Sequence, residues 1–215
     1  MKPFNLTAWI EENRDLLKPP VGNKNLYVDS GDYIVMIVAG PNARKDYHYN
    51  ETEELFYQLE GHITVRIQED GKAVDMKLGP GDMYLHPAKV PHSPMREAGS
   101  LGLVIERKRE GSGMQDGLLW FCDGCNTKLH ETYFELRDIE RDFLPRFREF
   151  YGSQAKRTCS SCGPSWQRRG RPCGSSWQRW GPSVVMVVAS SSPALFPEED
   201  RFGADEEVNA SESVD

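Results

Sequence analysis

Short apolar segments and turn signals alternate between residues 33 and 106. Tyr33–Val38 is a continuous apolar run, which predicts a buried strand. Ile63–Ile67 alternates apolar and polar residues, the period of a half-buried strand, and Asp70-Gly71 predicts a tight hairpin turn. Many short strands separated by turns predict a mainly β protein, an antiparallel barrel or jelly roll. The predicted strands are Tyr33–Val38, Glu54–Glu60, His62–Glu69, Ala73–Leu78, Met83–His86 and Leu101–Glu106.

A short helix is predicted before the strands. Asn5 or Thr7 can cap it, its apolar residues extend to Leu17, and Pro19-Pro20 end it. We expect it to pack against the barrel.

After residue 110 a glycine-rich link precedes two further predicted strands, Leu118–Cys122 and Thr127–Leu136. Asp138–Tyr151 has aromatic residues at helical spacing, and Pro145 within it predicts a kink or an early end.

The chain therefore divides into three predicted parts: a barrel over 1–110, an extension over 111–163 and a low-complexity tail over 164–215. An eleven-residue unit that begins at Cys162 recurs once, at Cys173, and an acidic end follows. Two copies are too few for a repeat fold, and we expect the tail to be disordered. Cys173 is interpreted as a free thiol.

The formal net charge of −7 argues against a nucleic-acid-binding protein. No apolar run approaches the roughly 20 residues of a membrane span, and the first residues lack the apolar core of a secretory signal. These patterns predict a cytoplasmic protein without a nucleic-acid or membrane partner.

His48, Glu54 and His92 have the residue types of a metal site that is open to substrate. Pro91 and Pro94 lie on either side of His92 and predict a loop there. Two imidazoles and one carboxylate form the facial triad of non-haem Fe(II) enzymes. Zinc uses the same ligand types, so the triad by itself does not choose between the two metals.

Two CxxC pairs form a second candidate metal site, with Cys122 and Cys125 in one pair and Cys159 and Cys162 in the other. Four thiolates suit tetrahedral Fe or Zn. Because no position would remain open, we expect a structural or storage role.

The segment Gly40–Gly61 resembles the first cupin motif, G-x5-H-x-H-x3-4-E-x6-G. Asp46 replaces the first histidine, His48 is the second, and Glu54 is the glutamate. The loss of the first histidine argues against a four-ligand site and leaves a three-ligand triad.

The second cupin motif, G-x5-P-x-G-x2-H-x3-N, is matched at Gly81, Pro87 and His92. Lys89 replaces its second glycine and Arg96 replaces its asparagine.

More specifically, residues from about 3 to 163 resemble the 3-hydroxyanthranilate 3,4-dioxygenase family, because several of its motifs occur in order with matching gaps. These are ARKDYH at 43–48, EELFYQLEG at 53–61, PHSP at 91–94 and GLVIER at 102–107. The microbial members carry a rubredoxin-like iron site, which LLWFCDGC at 118–125 resembles.

The resemblance implies a cupin barrel with Fe(II) at His48, Glu54 and His92, acting on 3-hydroxyanthranilate and O2. The product would be 2-amino-3-carboxymuconate semialdehyde, which closes to quinolinate in the kynurenine route to NAD. The resemblance also implies a homodimer and the following roles: Arg96 binds the substrate carboxylate, Arg44 lies at the oxygen site, Glu54 contacts substrate as well as metal, and Glu106 binds the substrate hydroxyl and takes its proton.

Two other classes stay open on the residues alone. One is a cupin isomerase or zinc-dependent hydrolytic enzyme, and the other is a non-enzymatic cupin that binds a small aromatic acid. An isomerase would be expected to keep a fourth ligand, and a binding protein would not need an open triad.

Overall fold

A computed structural model describes residues 3–162, with gaps at 19–21, 43 and 138. The predicted tail over 164–215 and Cys173 lie outside the described residues. The helices are α1 (Leu6–Asn13), a 3-10 helix (Arg14–Leu17), α2 (Ile139–Gly152) and α3 (Gln154–Arg157). The strands are β1 (Asn23–Asn25), β2 (Tyr33–Ala39), β3 (Asp46–Tyr49), β4 (Glu54–Glu60), β5 (Ile63–Glu69), β6 (Lys72–Leu78), β7 (Met83–His86), β8 (His92–Arg96), β9 (Leu101–Arg107), β10 (Asp116–Phe121) and β11 (Lys128–Phe134).

The strands form two antiparallel sheets. One has the order β1-β2-β9-β4-β7 and the other β11-β10-β3-β8-β5-β6. The main core contains Met36 and Phe56 from the first sheet with Val65 and Ile67 from the second, so it lies between the sheets. This confirms the predicted mainly β, cupin-type fold.

The alternation of side chains along β2 explains how two cores form. Met36 and Val38 point into the core between the sheets, whereas Ile37 points to the opposite face. There Ile37 contacts a cluster that includes Ile10 of α1 and Leu17 of the 3-10 helix. The N-terminal helix therefore covers the outer face of the five-stranded sheet, as predicted, and the Asn5 side chain caps it by accepting from the Ala8 N–H.

The hairpin between β5 and β6 has the predicted turn. Glu69 faces Lys72 across it, and Asp70 and Gly71 both have positive φ, 49° and 74°. Two successive positive φ values are those of a type I′ turn, whose twist matches that of the strands.

The sequence interpretation placed His92 in a proline-bounded loop, and this was wrong. His92 begins β8, and Pro94 lies inside that strand, opposite Val65 of β5. On its other side β8 pairs with β3 only at His48↔His92, and proline is tolerated where a ladder is incomplete. The prolines therefore made β8, which carries His92, look like a loop in the sequence.

The strands after residue 110 extend the second sheet. β10 pairs with β3 of the barrel and with β11, so this sheet continues across the predicted boundary between residues 110 and 111. The three-part division of the chain stays a prediction.

Helix α2 packs its aromatic residues on β10 and β11. It continues through Pro145 and ends at Gly152, so the predicted early end does not occur. Within the described residues, no helix is long and apolar enough to cross a membrane.

We predict that Ile37→Ala lowers the free energy of unfolding by about 2–5 kcal/mol, because Ile37 is 0% exposed and the substitution leaves a cavity under α1. Leu16→Ala is the matched control, since Leu16 is 52% exposed and its loss should change stability by less than about 0.5 kcal/mol. Urea unfolding followed by circular dichroism measures both. Equal effects of the two substitutions would contradict the packing described for α1.

Candidate metal centre and active site

Three neighbouring strands bring the triad together. His48 lies on β3, Glu54 begins β4 and His92 begins β8. One potential ligand atom from each residue lies within 4.8 Å of the others, and all three side chains are buried. The fold thus places the three residues that the sequence predicted as ligands at a single point inside the barrel.

Glu54 is held in its ionised form. Its Oε2 atom lies 3.1 Å from His92 Nε2 and accepts a hydrogen bond of 3.2 Å from Asn50 Nδ2. Burial acts to raise the pKa of Glu54, but the charge and hydrogen bond of His92 outweigh it and hold the pKa at about 2. An ionised carboxylate beside two imidazoles is a donor set that fits a divalent transition metal.

His48 is oriented by a residue that the sequence interpretation missed. Its Nε2 atom lies 2.7 Å from Oδ1 of Asp116, which is fully buried at the start of β10. A carboxylate at one ring nitrogen fixes the tautomer and leaves the other nitrogen as a metal ligand. Burial raises the pKa of Asp116, but hydrogen bonds from His48 and Arg109 outweigh it, and the pKa is lowered. Nothing in the sequence around Asp116 distinguishes it from an ordinary polar residue at the end of a loop.

Asp46 stands where the first cupin motif has its first histidine, and it binds Arg44. Oδ2 of Asp46 accepts a hydrogen bond of 3.2 Å from Arg44 Nε, and a second one from Nη2. Burial acts to lower the pKa of Arg44, but the charge of Asp46 outweighs it and the pKa is raised. The lost ligand position therefore holds an arginine close to the triad.

Arg96 is a buried cation whose head group is incompletely paired. It lies on β8, four residues after His92, and is 4% exposed. Its Nε and Nη1 atoms have no hydrogen-bond partner among the described residues. Burial lowers its pKa to about 10. Gly102 makes room for this head group, since a Cβ atom there would lie 3.0 Å from Nη1. A buried guanidinium with unsatisfied donors is costly, which indicates a place for an anionic ligand.

Glu106 of β9 lies directly opposite Glu54 of β4. Burial and the charge of Glu54 raise the pKa of Glu106 to about 7, although Arg109 acts in the other direction. Its Oε2 atom lies 2.9 Å from Arg109 Nη2, but the angle is too poor for a hydrogen bond. A charged pair at this distance still interacts strongly when both groups are buried, so Arg109 favours the ionised form of Glu106. A carboxylate with a pKa near neutrality suits proton transfer.

A third histidine, His86, lies next to the triad, with its ring centroid 4.3 Å from that of His92. Both of its nitrogens are engaged, Nε2 with the Val90 carbonyl at 2.8 Å and Nδ1 with the Tyr84 hydroxyl at 3.1 Å. Burial lowers the pKa of His86 to about 4, so it is neutral at physiological pH. His86 is therefore a structural histidine, and the group that could hold a metal ion consists of His48, Glu54 and His92.

The four cysteines of the two CxxC pairs also converge. Their sulfur atoms all lie within 4.8 Å of one another, with 4.0 Å between Cys122 and Cys162 and 3.5 Å between Cys125 and Cys159. A tetrahedral metal with bonds of roughly 2.3 Å would separate its sulfur ligands by roughly 3.8 Å. A disulfide, in contrast, would bring two sulfurs to roughly 2 Å. The spacing fits a shared metal ion better than disulfides.

The fold and the site define a cupin-type barrel with a buried cluster of three potential metal ligands, arginines and a titratable carboxylate. The model of the family described as 3-hydroxyanthranilic acid dioxygenase matches residues 1–151. The chain belongs to this family.

Relatives named 3-hydroxyanthranilate 3,4-dioxygenase extend the match. The Xanthomonas euvesicatoria protein is 56% identical over 161 residues, covering 75% of this chain and 90% of the relative. Those of Burkholderia cenocepacia and Yarrowia lipolytica are 48% and 44% identical, covering 75% of this chain and 91% and 94% of their own lengths. Among solved structures, a cupin-2 domain protein of Shewanella frigidimarina is 20% identical with a TM-score of 0.39, covering 46% of this chain and 91% of that one.

We predict that Glu54→Ala removes metal from the triad and leaves the metal of the cysteine site in place, because the two sets of ligands share no residue. Elemental analysis of the purified protein measures this, with Glu53→Ala as the neighbouring control. Loss of both metals, or of neither, would contradict two independent sites.

Proposed function

We propose that this protein is an Fe(II)-dependent ring-cleaving dioxygenase that converts 3-hydroxyanthranilate and O2 to 2-amino-3-carboxymuconate semialdehyde. This product closes to quinolinate without an enzyme. Membership of the family and the names of its relatives support this activity. The single structural observation that carries it is the incompletely paired Arg96 beside an open triad.

Arg96 would bind the substrate carboxylate. Two parallel hydrogen bonds from a guanidinium match the geometry of a carboxylate, and one of them would engage a donor that lacks a partner, Nε or Nη1. This contact fixes the aromatic ring relative to His92, because both side chains come from β8.

Glu106 would take the proton of the substrate hydroxyl. Its raised pKa makes it basic enough to accept a proton near neutral pH and acidic enough to release it again. Ionisation of the hydroxyl makes the ring a better electron donor. Arg44, held by Asp46, would contribute positive charge where negative charge develops on oxygen.

Aromatic side chains would enclose the ring of the substrate. The Phe143 ring centroid on α2 lies 5.6 Å from that of His48, and the Phe56 centroid lies 5.8 Å from that of His92. A planar substrate next to these rings would be packed by apolar contacts and shielded from water.

His48, Glu54 and His92 would hold Fe(II), with Asp116 fixing the orientation of His48. When bound, the metal supplies redox chemistry for O2 together with positions for substrate atoms. The bond between the hydroxyl-bearing carbon and its unsubstituted ring neighbour would break, and both oxygen atoms of O2 would enter the product, one in the new carboxylate and one in the aldehyde.

The four cysteines would hold a second Fe or Zn ion with a structural or storage role. The separation of their sulfur atoms supports this, as do two backbone hydrogen bonds to sulfur, from Gly124 N to Cys122 Sγ at 3.4 Å and from Cys162 N to Cys159 Sγ at 3.3 Å. Four thiolates complete a tetrahedral shell and leave no position for substrate.

The alternatives weighed from the sequence have less support. A cupin isomerase would need a fourth ligand, and the nitrogens of His86 are both engaged. A binding-only cupin gives no reason for a carboxylate with a pKa near neutrality beside the triad. We propose in addition that the protein acts in the cytoplasm as a homodimer, as the resemblance implies.

Anaerobic reconstitution with Fe(II), followed by addition of 3-hydroxyanthranilate and air, tests the activity. We expect O2 uptake and an absorbance band of the semialdehyde that decays as quinolinate forms. A zinc-loaded sample is the control, because zinc has no redox chemistry, and it should be inactive. An iron-loaded protein without O2 uptake, together with a zinc-loaded protein active on another substrate, would exclude the proposal.

We predict that Arg96→Lys raises the KM for 3-hydroxyanthranilate about 10- to 100-fold, because a lysine keeps the charge but loses the two-pronged hydrogen bond. Steady-state kinetics with saturating Fe(II) measures the change, and elemental analysis should show that iron at the triad is retained. An unchanged KM would mean that Arg96 does not bind the carboxylate.

A further inference from the structure

A continuous buried network joins a metal ligand to the proposed base. It begins at His48, whose Nε2 lies 2.7 Å from Asp116 Oδ1. Arg109 donates to both oxygens of Asp116, from Nε to Oδ2 at 2.8 Å and from Nη2 to Oδ1 at 2.7 Å. The same Nη2 atom lies 2.9 Å from Oε2 of Glu106. One guanidinium therefore contacts the carboxylate that orients His48 and also the carboxylate that is proposed to take the substrate proton.

The position of Arg109 is fixed on every side. Besides the contacts to Asp116 and Glu106, its Nη1 atom donates to the Arg107 carbonyl at 2.7 Å and to Thr52 Oγ1 at 3.3 Å. A guanidinium has five N–H donors, and four of them make hydrogen bonds here, while Nη2 also forms the ion pair with Glu106. The side chain is about 1% exposed.

Stability alone does not explain such a group. Buried ion pairs are often no more stable than apolar residues of the same volume, because both charges lose their hydration. Asp116 is 0% exposed, and Arg109 forms ion pairs with both Asp116 and Glu106. The chain offers a contrast in Arg66 and Asp75, which form the same two-pronged pair at 2.6 and 2.9 Å but are 40% and 38% exposed and contact neither Asp116 nor Glu106 in any hydrogen bond or ion pair found among the described residues.

We propose that Arg109 is a positioning residue that sets the orientation of His48, through Asp116, and of Glu106 at the same time. The metal ligand and the base would then keep a constant separation during turnover, because a single rigid cation holds both. The link to Glu106 rests on the proposed function, whereas the link to His48 does not.

Metal affinity tests the link to His48 without any substrate. Arg109→Lys keeps the charge but cannot hold both oxygens of Asp116, and Asp116→Asn keeps the shape but loses the charge. We expect each to weaken Co(II) binding at the triad about 10- to 100-fold, as loss of an outer partner of a ligating histidine does. Co(II) bound to thiolates absorbs strongly by charge transfer, so Co(II) at the cysteine site can be measured separately from Co(II) at the triad. Arg66→Lys is the matched control and should bind Co(II) like the wild type.

Kinetics test the link to Glu106. With saturating Fe(II), Arg109→Lys should lower kcat about 10- to 100-fold while changing KM little, because Arg96 still binds the carboxylate. If Arg109 acts through Glu106, adding Arg109→Lys to a Glu106→Gln enzyme should cost much less than it does alone. Additive effects on kcat would overturn this link.

The two measurements separate the possible failures. An inactive wild-type enzyme would refute the proposed function, while the Co(II) titration would still decide the link to His48. Wild-type Co(II) affinity in Arg109→Lys would overturn that link. If Arg109→Lys did not fold, as judged by circular dichroism, the isosteric Asp116→Asn would decide it by the same titration.

Discussion

The burial of charge inside the barrel is the constraint on which the rest of the structure depends. Among the described residues, four carboxylates and three guanidiniums lie in or beside the site: Asp46, Glu54, Glu106 and Asp116 with Arg44, Arg96 and Arg109. With all of them ionised, the set carries one excess negative charge. A divalent cation at the triad would reverse the sign, and a substrate with one carboxylate would then bring the site to neutrality. The barrel thus favours both a metal ion and an anionic ligand.

Each buried charge has a distinct neighbour, and this separates the roles of the carboxylates. The charge and hydrogen bond of His92 lower the pKa of Glu54 despite its burial, whereas burial and the charge of Glu54 raise the pKa of Glu106 to about 7. Two carboxylates on adjacent strands therefore differ in protonation although their residue type is the same. This difference gives one the character of a ligand and the other the character of a base.

Much of the fold could be predicted from the sequence because periodicity and turn residues are local properties. Six strands, β2, β4, β5, β6, β7 and β9, were predicted with small errors at their ends, and Asp70-Gly71 forms the predicted turn. β3 and β8 were not predicted, since prolines and polar residues obscure their pattern. Both are central in the six-stranded sheet, where pairing with neighbours compensates for weak local preference.

By itself the sequence determined the ligand types of the triad, the two cysteine pairs and the family, because residue identity and spacing carry that information directly. Only the tertiary structure decided which charges are paired. Asp116 follows His48 by 68 positions, and only the pairing of β10 with β3 brings them into contact. Arg109 and Arg96 are both basic residues near the end of a strand. Arg109 makes four hydrogen bonds, whereas Nε and Nη1 of Arg96 have no hydrogen-bond partner among the described residues. That difference arises from packing among strands that are distant in the sequence, and local sequence patterns contain no information about such contacts.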